Sequence, residues 1–347
     1  MEFNRTELMP GVFLSHLRSD KFKTACMSVT LLTQLRRETA AMNAVIPFVL
    51  RRGTTRYSDM EQLSRRMDEL YGAAVEPVVR RIGEIQCIGF YGSFPEPDYL
   101  PGGEALLGDT CALMAQLLLD PVTRGGLLLP QYVDSEREKL LDIIRSRMND
   151  KRSYALTRCI EEMCCYEDFA VSRFGSESEA ENIHYKKLTR HYRELIQTCP
   201  VEIFYCGKTD FKAVSAAMRD AFSAMPRGEI DYDIGTDLRM NAVEDHIRFV
   251  EEEMDVTQGK LVLGFRLGEC MEEPDIPALY VFNAVYGSGA TSKLFMNVRE
   301  KLSLCYYASS AVERYKGIMQ ISSGIEFDKY ETAKNAIFHE LDECRQG

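Results

Sequence analysis

The stretch Tyr286–Ser310 reads YGSGATSKLFMNVREKLSLCYYASS, and its punctuation decides how the later part of the chain folds. Gly287 and Gly289 stand where a helical pattern stops and the backbone must turn sharply. Glycine does this at little steric cost. Thr291 and Ser292 then offer N-cap hydroxyls for a new helix. Leu294, Phe295, Val298 and Leu302 recur at helical spacing and form its apolar face, with Arg299 off the centre of that stripe. After Ser303 the pattern becomes a strand of aromatic and small residues, Leu304 to Ser310. The helix delivers Arg299, and the strand delivers Tyr306, close to one end of the same unit. On spacing alone the plainer reading is a solvated helix charge and a half-buried strand aromatic.

Working outward, the strand from Leu304 starts a hairpin that turns near Lys316-Gly317 and ends at Ile325. A last amphipathic helix starts at about Lys329. Before the glycine turn come strands at 246–252 and 260–267 and a helix at 274–286. The same order stands earlier. Two alternating strands lie within 11–35, and a helix covers 39–50. Ser58-Asp59-Met60-Glu61 forms a capping box that opens a helix with Met60, Leu63, Met67 and Leu70 on one face. A hairpin at 75–91 turns near Gly83, and a helix follows at 106–119. Helices at 134–148 and 154–165 come next, then a polar, loop-like 167–190 before a short helix. A strand at 201–206 and a helix at 211–225 complete the first half. Residues 226–245 carry Gly, Asp and charge without periodicity and mark a boundary. The repeated order predicts an α+β protein of two similar domains, 1–228 and 229–347. The second is shorter than the first, as if truncated.

A chain of 347 residues is too long for one ordinary core. It has no apolar run of about 18 residues, so no membrane span is expected. The N-terminus lacks an apolar signal core, and a cytoplasmic location is the default. A net charge of −11 argues against nucleic acid as a partner and would suit a basic or unfolded peptide. Eleven cysteines without C-x-x-C pairing read as small apolar residues in a reducing compartment.

The wider run closely resembles the second domain of pitrilysin/insulinase-type zinc peptidases and mitochondrial processing peptidase. Those proteins carry a glycine turn followed by S-K/R-L-F-x-x-V-R-E-K-x-x-L-x-Y. Here Ser292, Lys293, Leu294, Phe295, Val298, Arg299, Glu300, Lys301, Leu304 and Tyr306 stand in that pattern. The resemblance implies two pitrilysin-like domains, each a mainly antiparallel sheet packed with helices. It also implies that Arg299 and Tyr306, seven apart as in the family, bind substrate, with Gly287 and Gly289 letting a peptide backbone come close.

Active members carry H-x-x-E-H on a first-domain helix, ahead of G-T-x-x-Y/F-S. The two histidines grip zinc, the glutamate is the general base for water, and a more distant glutamate completes the site. Arg52-Gly53-Thr54 and Tyr57-Ser58 are recognisable here. Counting back, the histidine positions fall on Ala44 and Phe48 and the general-base position on Pro47. None can ligate zinc or move a proton. The third-ligand region resembles Glu136-Arg137-Glu138-Lys139-Leu140-Leu141, which puts the ligand near Asp142 or Ile143. Of five histidines, only His184 and His191, seven apart, could share a helix face for a metal; otherwise they read as surface or capping residues. No metal or other cofactor is expected.

The expectation is a catalytically silent family member that pairs with a zinc-bearing paralogue, as a heterodimer, and helps bind peptide. Two stretches, RRGT–YSDMEQLSRRMDELYGA and IEEMCCYEDFAVSRFG, look most like the YfmF-type bacterial subfamily. That likeness implies a pathway linked to 5-aminopentanol modification of elongation factor P. The alternative is a non-enzymatic peptide-binding scaffold or chaperone. A self-sufficient metallopeptidase is the least favoured reading.

Overall fold

The structure, a computed structural model, describes residues 2–239, 247–268 and 273–346. The first half runs β1 (Glu2–Met9), β2 (Val12–Arg18), β3 (Thr24–Gln34), α1 (Ala40–Leu50), α2 (Met60–Glu69), β4 (Ala74–Ile82), β5 (Ile85–Pro95) and α3 (Leu107–Leu119). After these come the two-residue strands β6 (Thr123–Arg124) and β7 (Leu127–Leu128), then α4 (Pro130–Ser146) and α5 (Lys151–Met163). The short α6 (Glu177–Glu181), α7 (Tyr185–Thr198), β8 (Val201–Gly207) and α8 (Phe211–Phe222) end it. The second half has β9 (Gly259–Arg266), α9 (Ile276–Tyr286), a π-helix (Leu294–Lys301), β10 (Cys305–Glu313), β11 (Ile318–Ile325) and α10 (Tyr330–Gln346).

Two compact units result. One comprises Met1–Arg145 and Val171–Gly235, the other Ser146–Ala170 and Thr236–Gly347.

In the first unit six strands form one sheet, ordered β1-β2-β8-β3-β5-β4. Only β2 and β8 run parallel. Period-two alternation splits β3 cleanly. Ala25, Met27, Val29 and Leu31 are buried in the core with Ala44 and Val45 of α1, Leu117 of α3, Leu188 of α7 and Met218 of α8. Strand β1 was not expected, because its alternation is carried by polar residues, Asn4, Arg5 and Thr6, at a sheet edge. The cap of α2 is Asp59 rather than Ser58: its carboxylate accepts the Gln62 N–H at 2.9 Å. That shifts the expected box by one residue, in line with the charge-assisted bond that a carboxylate makes. The polar stretch before residue 190 hides the start of α7, a 14-residue helix.

The second unit repeats the plan. Strand, helix, helix, hairpin, helix follow in the same order, and the sheet order β10-β11-β9 matches β4-β5-β3. Met319, Ile321 and Ile325 pack under Tyr286, Leu294, Val298 and Ile337. The other face of the sheet is covered by the segment 146–170. Ile160, Cys164 and Phe169 cluster with Ile318, and the bare Gly264 lets Met163 lie against β9. Glu167, 3% exposed, is held by Arg266 and by Lys316, whose Nζ lies 2.7 Å away. A single division after residue 228 would part α5 from the sheet that it covers. The amphipathic pattern of α5 shows that it packs, not on what. Of the strand expected at 246–252, His246 lies outside the described residues and 247–252 is not a strand.

Candidate functional site

Helix α1 carries Ala44, Pro47 and Phe48, the positions to which the count from Gly53-Thr54 assigns the zinc motif. Its sequence, AAMNAVIPFVL, lacks charge and is buried at every position but Phe48, which is half-buried. Ala44 is fully enclosed, and Pro47 is buried inside the helix, where it supplies no N–H to the preceding turn. A methyl, a pyrrolidine ring and a phenyl ring offer no lone pair to a metal and no place for a proton. The residues do not fit a zinc ion.

What stands there instead is an amide–imidazole chain. Asn43, fully buried, donates from Nδ2 to Gln86 Oε1 at 2.9 Å. Gln86 Nε2 donates to the carbonyls of Ala40 at 3.0 Å and Arg173 at 2.7 Å. His191 Nε2, from α7, lies 2.6 Å from Asn43 Oδ1. Burial holds the His191 pKa below its ordinary value, with Glu194 pulling it back up only in part. The neutral ring therefore donates its Nε2–H to Asn43. The histidine pair open to a metal on sequence is not brought together: His184 caps α7, its Nδ1 accepting the Lys186 N–H at 3.4 Å.

The third-ligand region gives no metal-binding carboxylate either. Glu136 is buried but engaged by Arg52 at 3.0 Å and Lys139 at 2.8 Å, while Asp142 and Ile143 are exposed. Among the described residues no cluster of three or more His, Cys, Asp or Glu is placed to hold a metal ion.

In the second unit the stretch from Gly287 to Tyr306 folds into a π-helix and the start of a bulged hairpin. Ser292 Oγ accepts the Phe295 N–H at 3.4 Å and donates to Gly289 O at 2.7 Å, which starts the helix. The winding then widens, as the Leu302 N–H reaches Asn297 O five residues back. Such π-turns recur at functional sites. Leu294 and Val298 are buried as expected, but Leu302 caps the helix and is 49% exposed. Arg299 lies on the open side, its guanidinium 4.5 Å from the Phe295 ring centre and 3.5 Å from Glu300. It also acts on the first residue of β10: burial raises the Cys305 thiol pKa, and the Arg299 charge opposes that rise.

Tyr306 and Tyr307 together face the single Gly324 across a bulge between Cys305 and Ala308. A bulge re-aims side chains. Tyr307 lies over the bare Gly324 and under the Arg152 guanidinium, 4.1 Å from its ring centre. Tyr306 projects outward and is 65% exposed. Gly287 is a correction to the sequence reading. It is buried against β10, where a Cβ would lie 2.7 Å from the Ser310 backbone nitrogen, so it has no open side for a peptide. Gly289 is exposed, with φ at 159° and nothing near the space a Cβ would fill.

Comparison with known proteins agrees with this plan. The chain is 32% identical over 347 residues to the probable inactive metalloprotease YmfF of Bacillus subtilis (strain 168), a match covering 99% of this chain and 80% of the relative. This chain belongs to the M16 peptidase family. The M16 inactive domain also matches residues 182–347. A conserved Enterococcus faecalis V583 protein superposes with a TM-score of 0.83 at 25% identity, over 98% of this chain and 79% of that one. A Helicobacter pylori protease shares the M16-type fold, with a TM-score of 0.78 at 13% identity over 99% of this chain and 79% of the other. The inactive-domain match and the relative's description as a probable inactive metalloprotease make this M16 chain a pseudoenzyme. Among the described residues no helix is long and apolar enough to cross a membrane.

Proposed function

We propose that this chain is the zinc-less member of a pair, working with a zinc-bearing M16 paralogue whose peptide substrate it helps to hold. One contrast carries the reading: the water-activating positions are apolar and enclosed, while Arg299 and Tyr306 keep the family spacing and present their ends to solvent. In this role the Arg299 guanidinium donates to a backbone carbonyl of the peptide. The Tyr306 hydroxyl donates to a carbonyl near the bond that the partner cleaves, where charge develops on oxygen. The negative net charge favours a basic or unfolded peptide. The subfamily likeness adds a setting, cytoplasmic modification of elongation factor P, which would be withdrawn if deletion in the host left that modification intact.

Co-expression with a zinc-bearing paralogue from the same genome tests the pairing. The expected result is co-purification and peptidase activity that depends on this chain. Activity indifferent to its presence would remove the reading. The scaffold alternative is favoured if peptides bind this chain through Arg299 and Tyr306 while no paralogue associates with it.

A further inference from the structure

Two thiols from distant parts of the chain meet on the six-stranded sheet. Strands β3 and β8 pair antiparallel from Leu31 opposite Val201 to Cys26 opposite Cys206, without a shift of register. Directly opposed residues send their side chains to the same face. Ala25 and Met27 point into the helix-covered core, so Cys26 and Cys206 lie on the other face. Both are free thiols; Cys206 is 9% exposed and Cys26 is half-buried.

The hydrogen-bond ladder fixes which kind of pair they make. The Leu32 N–H donates to Pro200 O at 2.9 Å, so even-numbered residues of β3 turn their backbone groups toward β8. Odd-numbered ones turn toward β5, as just beyond the strand the Leu35 N–H does to Glu84 O at 2.8 Å. Cys26 and Cys206 are therefore a hydrogen-bonded pair, with Cα atoms about 5.5 Å apart. A disulfide spans about 4.4–6.8 Å between Cα atoms, so the strands need not separate or slide to make one. The Cβ atoms of opposed residues stand about 4.5–5.5 Å apart and must close to about 3.5–4.5 Å. A bond made under that tension is readily reduced again.

The thiols also feel one another. Burial pushes the Cys206 thiol up, and the adjoining Cys26 adds to the rise. The Tyr91 hydroxyl, on the neighbouring β5, is raised by burial and by the same Cys26. Tyr91 is 43% exposed, so a reagent reaches the pair from its side, through Cys26. Cys111 and Cys199, by contrast, are enclosed, and burial pushes their thiols up to about 12.

We infer that Cys26 and Cys206 form a reversible cross-strand disulfide, an oxidation-dependent clamp between β3 and β8. The oxidant is a small-molecule disulfide. The Cys26 thiolate attacks one of its sulfurs, the reagent's S–S bond breaks, and one thiolate leaves. The Cys206 thiolate then attacks Cys26 Sγ, and the second reagent thiolate leaves. Two cysteine protons and two electrons have passed to the reagent, which is recovered as two thiols. The bond joins residues far apart in the chain, so it restricts the unfolded state and stabilises the sheet.

The test uses the full chain with Cys165→Ser, which removes an exposed thiol able to link two copies. The folded protein is treated with oxidised glutathione, capped with iodoacetamide, digested without reductant and mapped. The expected result is a peptide pair joined through Cys26 and Cys206, the loss of two hydrogens from the mass of the monomer, recovery of both thiols with dithiothreitol, and a raised urea midpoint. Adding Cys26→Ser should abolish both the link and the rise. Capping of both thiols after treatment, glutathione retained on Cys26, or a link from Cys26 to another cysteine overturns the inference. So does an unchanged or lowered midpoint in protein that carries the bond.

Discussion

His191 Nε2 lies 2.6 Å from Asn43 Oδ1, and this contact joins α7 to the uncharged helix α1. The ring is held neutral because burial disfavours its charged form. In the unfolded chain the imidazole titrates near its ordinary 6.5. As pH falls below that value the unfolded state binds a proton that the folded state refuses, so stability drops until the lowered folded pKa is reached and then levels. Urea denaturation between about pH 5 and pH 8 should show this slope. His191→Gln, which keeps a donor for Asn43, should remove it. An identical pH dependence in the two proteins would contradict the assignment.

Rebuilding the motif should not rebuild the enzyme. The triple variant Ala44→His, Pro47→Glu, Phe48→His places large polar groups in a closed helix, at a cost of about 1–3 kcal/mol for overpacking alone. Glu136 stays engaged by Arg52 and Lys139, and Asp142 is out in solvent. The expected outcome is a less stable protein without stoichiometric zinc or peptide turnover, read by metal analysis and a fluorogenic peptide assay.

Arg299→Ala and Tyr306→Phe should separate function from stability. Arg299 lies against Phe295 and Glu300 of its own helix, and the Tyr306 side chain is largely in solvent. Stability should change by less than about 1 kcal/mol. Peptide binding, or the kcat/KM of the paired enzyme, should fall roughly tenfold or more, as for a lost hydrogen bond to a charged or transition-state group. Equal losses in binding and in Tm would argue for a structural role.

Gly287→Ala should do the reverse. The added methyl would meet the Ser310 backbone nitrogen and Leu294, at 2.7 and 2.8 Å. The strain should cost about 1–3 kcal/mol, seen as a lower urea midpoint. At Gly289 a methyl meets no neighbour, but φ of 159° is a conformation that L side chains rarely adopt, so Gly289→Ala tests backbone strain without a clash.

Glu167→Gln should destabilise the second unit. Burial pushes the Glu167 carboxyl up, but hydrogen bonds and charge from Lys316 and Arg266 more than offset it, so its pKa is below the ordinary range. Neutralising it removes the carboxylate that buried Lys316 and Arg266 share, and breaking a buried pair costs about 3–5 kcal/mol. In the parent protein the same contribution is present above the ordinary glutamate pKa and is lost as pH falls through the lowered value. Limited proteolysis at 259–325 would report the loss.

Much of this was legible in the residues. The helix over 39–50, the turn at Gly83 and the apolar pair Leu294 and Val298 follow from periodicity and glycine placement, and all are found. The count from Gly53-Thr54 puts the expected motif on Ala44, Pro47 and Phe48, which share helix α1. What could not be read were relations between distant segments. Nothing local says that His191 meets Asn43, 148 residues away. Nor does the doublet Tyr306-Tyr307 show that a bulge opposite Gly324 turns one ring inward and leaves the other out. Strand β1 escaped because edge strands need little apolar alternation, and Asp59 displaced Ser58 as cap because its charged carboxylate holds the Gln62 N–H of the first turn.

The passage of 146–170 into the later sheet has a consequence for how the molecule can be taken apart. Neither unit is an uninterrupted piece of chain, so scissors applied midway would leave one fragment with a spare helix and the other with a naked β-surface. During synthesis, α5 is made well before the strands it covers. Its apolar face stays uncovered until they follow.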